Sequence, residues 1–163
     1  MQLSDHSHTV RLCLRMLLLR GYAGTGKTSL VGALVKTLKM LKQRVVLLAP
    51  TGRAAKVMGA YAEFPAGTIH KHIYRQKNFG DDAFTAAPNL KENTLYIVDE
   101  ASMIDSLLFE SLLRALRLSC RLILVGDVDQ LPSVGPGQIL RDIMKSEAFP
   151  MVVLQKIFRQ AGE

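Results

Sequence analysis

"RGYAGTGKTSL", residues 20–30, fits the spacing G-x-x-x-x-G-K-[ST] in full, with Gly21, Gly26, Lys27 and Thr28 at the fixed positions. A glycine run of this kind is either a phosphate cradle or a flexible turn, and its flanks decide between them. Met16, Leu17, Leu18 and Leu19 form an apolar run just before it, and a helix-periodic segment follows. That is the strand–loop–helix setting a phosphate loop requires.

Outward from the loop, the chain alternates strand and helix. Over 28–42, Leu30, Val31, Leu34, Val35, Leu38 and Leu41 share one helical face, while Lys36, Lys39 and Lys42 face water. "RVVLLAP" (44–50), "TLYIVDE" (94–100) and "RLILVGD" (121–127) are short apolar runs ending in polar residues, the pattern of strands covered on both faces. "MVVLQ" (151–155) reads the same way. Ile104, Leu107, Leu108, Leu112 and Leu116 recur at helical spacing, with Asp105 and Ser106 near the start, where acceptors suit the free amides. The expected class is α/β, a parallel sheet flanked by helices in three layers. Residues 76–93, "QKNFGDDAFTAAPNLKEN", show no period and read as a long surface loop or small excursion.

The chain has 163 residues, 48% hydrophobic and 21% charged, the balance of one globular domain spanning 1–163. Its net charge of +7 is uneven: residues 1–80 hold 13 Lys or Arg against Asp5 and Glu63, and residues 81–163 hold 8 against 12 acids. An anion is therefore expected on the first half. Cys13 and Cys120 are far apart and lack metal-ligand neighbours, which suggests neither a disulfide framework nor a zinc site and suits a cytoplasmic setting. The longest apolar stretch, near 12–19, is interrupted by Arg15, too short and too charged to span a bilayer. No membrane partner is expected.

In a parallel sheet, ligands collect at the carboxyl ends of the strands. After the first strand, the loop amides and the following helix start offer positive potential, Lys27 a point charge, and the Thr28 hydroxyl a magnesium ligand. Asp99 and Glu100 end an apolar run. They fit either a metal and water site or a pair of acids capping a helix that begins near Ala101. "GDVDQLPSVGPG" (126–137) is a glycine-punctuated loop from which Gln130 can reach a γ-phosphate, or a purely structural turn. "TGRAAK" (51–56) puts Arg53 and Lys56 near a helix start, either a nucleic-acid backbone surface or a solvated face.

Taken in order, "GYAGTGKT", "APTGRAAK", "TIHK" (68–71), "IVDEASM" (97–103), "LVGDVDQLPSVGPG" (124–137) and "IFRQ" (157–160) resemble the motifs of superfamily 1 DNA helicases. The nearest group is the RecD-like branch, related to the exonuclease V alpha subunit. The resemblance implies a RecA-like P-loop NTPase core, ATP with magnesium, and movement along single-stranded DNA in the 5′ to 3′ direction. It implies that Gly21, Gly24, Thr25, Gly26, Lys27, Thr28 and Ser29 hold the phosphates, that Thr28 and Asp99 serve magnesium, and that Glu100 is the catalytic base. Gln130 and Arg159 would sense the γ-phosphate, and Thr51, Arg53, Thr68 and His70 would line the DNA path. For His70 the alternative is a helix-start histidine satisfied by its neighbours.

The sequence departs from the family pattern in two ways. A glutamine motif for adenine normally lies upstream of the glycine loop, and Gln2 is the lone glutamine there. The family also has a second RecA-like domain, so these residues read as the first motor domain alone, completed by that domain or by a partner helicase or nuclease subunit. A nucleotide- or DNA-binding module with little turnover is the competing reading. A small-molecule kinase shares the glycine loop but has no use for "GDVDQLP" or "TGRAAK".

Overall fold

In β7 (Arg121–Gly126), Leu122 and Leu124 enter one apolar cluster while Ile123 and Val125 enter another. Side chains alternate across a pleat, so a continuous apolar run fills two cores at once. β1 (Met16–Gly21), β2 (Arg44–Ala49) and β6 (Thr94–Val98) divide in the same way. With β3 (Ala66–Thr68) and β8 (Met151–Leu154) they form a six-stranded sheet in the order β3-β2-β6-β7-β1-β8, parallel throughout. The computed structural model describes residues 15–75, 85–86, 93–117, 119–127, 129–130 and 135–156.

Helices α1 (Lys27–Met40) and α2 (Gly52–Ala62) cover one face through Val31, Val35, Met58 and Ala62. Helices α3 (Ile69–Ile73), α4 (Ser106–Ala115) and α5 (Ile139–Ser146) cover the other through Ile69, Ile73, Leu108, Leu112 and Leu140. The three-layer α/β class expected from the sequence is the one observed. β1 lies between β7 and β8, and its successor β2 lies beyond β6 and β7. The chain thus crosses the sheet directly after the glycine loop, leaving a crevice at the carboxyl ends of β1, β6 and β7.

Three sequence expectations need correction. Leu30 and Leu41 are 41% and 63% exposed, so the buried stripe of α1 is narrower than the apolar one. Leu41 is the C-cap residue beyond Met40, where α1 ends; at Gly32 a Cβ would lie 3.5 Å from the backbone of Tyr61 and Ala62, so α2 sits close and centres the contact on Val31, Gly32 and Val35. Leu107 is 66% exposed. Asp105 sets the phase of α4 by accepting the Leu108 N–H at 2.8 Å, which turns Leu108, Phe109 and Leu112 inward and Leu107 outward. β8 is not covered on both faces: Met151, Val152 and Val153 are all exposed, because β8 pairs with β1 alone at the edge of the sheet.

Of 76–93, expected as a long surface loop or small excursion, residues 85–86 and 93 are described. β4 (Tyr74–Arg75) pairs antiparallel with β5 (Thr85–Ala86). The remainder of 76–92 lies outside the described residues.

Candidate nucleotide and nucleic-acid site

The glycine loop is shaped by its own residues. Gly24 and Gly26 have φ of 78° and 81°, in the left-handed region that a Cβ disfavours. A Cβ on Gly21 would collide with the Thr25 hydroxyl and come within 3.1 Å of Leu154. Thr25, 3% exposed, donates its hydroxyl to the Tyr22 carbonyl at 2.7 Å, closing the loop from inside. Its side chain therefore works on the loop, and its backbone is what it can offer a phosphate. The Lys27 ammonium donates to the Gly21 carbonyl, and to the Tyr22 carbonyl at 2.9 Å. Thr28 and Ser29 occupy the first turn of α1, and among the described residues neither hydroxyl makes a hydrogen bond.

Across from the loop, Asp99 and Glu100 end β6. The Asp99 N–H donates to the Leu48 carbonyl at 2.9 Å, continuing the ladder with β2, and Asp99 Oδ1 accepts the Glu100 N–H at 2.9 Å. Burial raises the Asp99 pKa, opposed by that N–H and by the charge of Lys27. Glu100 is raised by burial first and by Asp99 next, with Lys27 opposing and Asp127 adding to the rise. A 3₁₀ turn does begin at Ala101, yet Glu100 gives it no side-chain cap. Its carboxylate is left to the crevice, and the reading of two helix-capping acids fails. Glu100 also holds φ of 53°, an uncommon value for a non-glycine residue.

A cavity of about 710 Å³ joins these parts. Thr28, Asp99, Glu100 and Gln130 line it together with Thr51 and Arg53, while Val57 and Met103 supply apolar wall. The fold thus brings the phosphate-loop threonine, both acids and the γ-phosphate candidate Gln130 to one space, with two of the four DNA-path candidates on its rim. Among the described residues no three His, Cys, Asp or Glu converge as a metal cage. One hydroxyl and one or two carboxylates suit magnesium, which keeps waters and takes phosphate oxygens as ligands. The donor set therefore fits a magnesium–nucleotide. Arg159 lies outside the described residues.

The DNA-path candidates divide. Thr51 Oγ1 accepts the Ala54 N–H at 3.2 Å and Thr68 Oγ1 accepts the Lys71 N–H at 3.2 Å, so both threonines are N-caps, of α2 and α3. Each hydroxyl keeps a proton to donate. Arg53 is exposed and has no ion pair among the described residues. His70 is exposed, its ring 5.8 Å from that of Tyr74. Thr68 and His70 are not part of the cavity wall.

Sequence reasoning missed two features. His72 packs edge-on to Tyr96 at 5.7 Å, with Nε2 buried and without a hydrogen bond, and burial lowers its pKa. Its place two residues from His70 on a helix was the available signal. The other is Arg20, whose guanidinium reaches Asp129 at 3.7 Å.

The profile of the AAA domain family matches residues 3–163. The chain belongs to that family. Among curated proteins it is similar to RecD proteins. It is 37% identical over 91% of its length to the ATP-dependent RecD2 DNA helicase of Deinococcus radiodurans, and covers 20% of that protein. It is 29% identical over 94% of its length to the RecBCD enzyme subunit RecD of Mycolicibacterium smegmatis, covering 32%. The AAA domain therefore spans between a fifth and a third of the length of these two relatives. In fold it superposes on the Pif1 helicase from Candida albicans with a TM-score of 0.63 and 23% identity, over 100% of this chain and 42% of that one. Among the described residues no helix is long and apolar enough to cross a membrane.

Proposed function

We propose that this chain is the ATP-binding and ATP-hydrolysing motor domain of a RecD-like DNA helicase. It would couple hydrolysis to movement along single-stranded DNA in the 5′ to 3′ direction. The observation that carries the reading is the shared cavity, where Thr28, Asp99, Glu100 and Gln130 meet Thr51 and Arg53. Likeness to a protein named as an ATP-dependent DNA helicase supports it.

Each residue then has a task. Amides of Gly24, Thr25, Gly26 and Ser29 cradle the phosphates at the start of α1, where the helix dipole favours anions. Lys27 exchanges two carbonyl acceptors for phosphate oxygens, which as charged acceptors bind it more strongly. The Thr28 hydroxyl and the Asp99 carboxylate would hold magnesium, whose charge would offset that of the phosphates. Glu100 takes the proton of the attacking water at its carboxylate, and the raised proton affinity conferred by burial improves it as a base. Gln130 and Arg159 contact the γ-phosphate. Thr51, Arg53, Thr68 and His70 grip the DNA backbone. Residues 1–163 act as one RecA-like domain in the cytoplasm, and stepping needs a second such domain, in the same protein or in a partner subunit.

Magnesium-dependent phosphate release under single-turnover conditions tests this reading, comparing wild type with Glu100→Gln. Release by wild type and its loss in the variant are expected. ATP binding without release by either protein would instead make the chain a nucleotide-binding module. Duplexes with a 5′ or a 3′ single-stranded tail test polarity in a longer form that includes the second domain, and unwinding from the 3′ tail contradicts it. Unwinding by the 163-residue chain alone contradicts the need for a second domain.

A further inference from the structure

Arg20 lies outside the fixed positions of the phosphate loop, yet its guanidinium touches two parts of the site. It sits 5.7 Å from the centre of the Tyr22 ring and donates to the Tyr22 hydroxyl at 3.5 Å. Its Nη2 is 3.7 Å from Asp129 Oδ2. Arg20 pairs with Gly126 across β1 and β7, so its side chain leaves the sheet where β7 gives way to the turn that carries Gln130.

Asp127, buried at 3% exposure, holds the start of that turn: Oδ1 accepts the Asp129 N–H at 3.1 Å and the carbonyl accepts the Gln130 N–H at 3.3 Å. Both bonds are local to the turn. Among the described residues, Arg20 makes the one side-chain tie from another element onto Asp129 or Gln130. Half-exposed Asp129 is thereby fastened to a residue that also rests on the phosphate loop.

We propose that Arg20 is a positioning residue for Gln130. Through Asp129 it fixes the turn so that the Gln130 amide faces the γ-phosphate, and through Tyr22 it makes that placement follow the phosphate loop. The inference rests on the reading of Gln130 given above. An ion pair this exposed contributes little to stability, so its effect is orientational. A misplacement of about 1 Å at a reacting centre costs on the order of a hundredfold in rate.

The test is ATP binding by calorimetry and steady-state hydrolysis, both with magnesium and single-stranded DNA, on the 163-residue chain. Arg20→Ala and Asp129→Ala should each lower kcat by about tenfold or more while KM and ATP affinity stay within about twofold. Arg20→Ala/Asp129→Ala should be no worse than either single change, and adding either to Gln130→Ala should cost nothing further. Exchanging the charges, as Arg20→Asp/Asp129→Arg, should recover part of the rate. Asp129 lies in an exposed turn, so its variant probes the tie even where Arg20→Ala perturbs β1. Weakened ATP binding at unchanged kcat would assign Arg20 to the phosphate loop and overturn the proposal, as would losses that add to that of Gln130→Ala. Full turnover in Gln130→Ala would instead overturn the role given to Gln130 itself.

Discussion

The phosphate loop and the starts of α2 and α3 are both strand-to-helix turns rich in small polar residues, and they are built in opposite ways. In the loop the side chains fold inward: Thr25 is buried and bonded to Tyr22, Gly21 leaves no room for a Cβ, and Lys27 lies back on two carbonyls. At the α2 and α3 starts the threonine hydroxyls cap their own helices, and Arg53 and His70 extend into water. The first region is a rigid mould for one group. The second is an open surface where the Arg53 guanidinium suits a flexible polyanion bound through its phosphates.

Lys27→Ala should give the largest effect, since it removes the side-chain cation of the mould. ATP affinity measured by calorimetry with magnesium should fall at least a hundredfold on an order-of-magnitude scale, with the fold intact. Unchanged affinity would put the loop in the same class as the α2 start. Glu100→Gln comes next. Binding should persist while hydrolysis slows by on the order of a hundredfold or more.

The same substitution has a stability signature. Burial holds Asp99 and Glu100 above their ordinary carboxylate values, so the folded chain binds protons there more readily than the unfolded chain. Their contribution to stability is therefore full in acid, below the ordinary values, and is lost as pH rises through the raised ones. Glu100→Gln abolishes one of these titrations. Its melting temperature should exceed that of wild type near neutral pH and converge on it in acid. An equal deficit at every pH would mean that the charged carboxylate is not costly in this site.

Smaller effects separate the two kinds of residue within the open surface. Thr51→Ala should destabilise the fold by about 1 kcal/mol in urea titration through loss of the α2 cap. Arg53→Ala should leave stability unchanged. Across a salt series its single-strand affinity should fall less steeply, by about 0.7 in the log–log slope for one lost phosphate contact. A stability loss on Arg53→Ala with an unaltered slope would reverse the assignment.

How much of this was legible in the sequence follows the same division. Runs such as Arg121–Gly126 announced buried strands because both faces of the pleat must be apolar, and the fixed spacing of Gly21, Gly26, Lys27 and Thr28 located the loop. The exposure of β8 and Leu107 was not legible. Strand order decides which apolar run falls at an edge, and the Asp105 cap decides which leucines of α4 turn inward. Nor was the Arg20–Asp129 tie, which joins residues far apart in sequence through the pairing of β1 with β7. The threonines at 51 and 68 were singled out for DNA, but their caps emerge only where a helix start places an N–H three residues on.

The most direct measurement is phosphate release from ATP by this chain, with magnesium, as single-stranded DNA is titrated in. If one cavity serves both the nucleotide and the strand, each ligand alters the response to the other. Release should be slow without DNA, rise several-fold to saturation with it, lose that rise in Arg53→Ala, and vanish in Glu100→Gln. An identical rate at zero and saturating DNA, with the strand demonstrably bound, would contradict a cavity that joins the two sites.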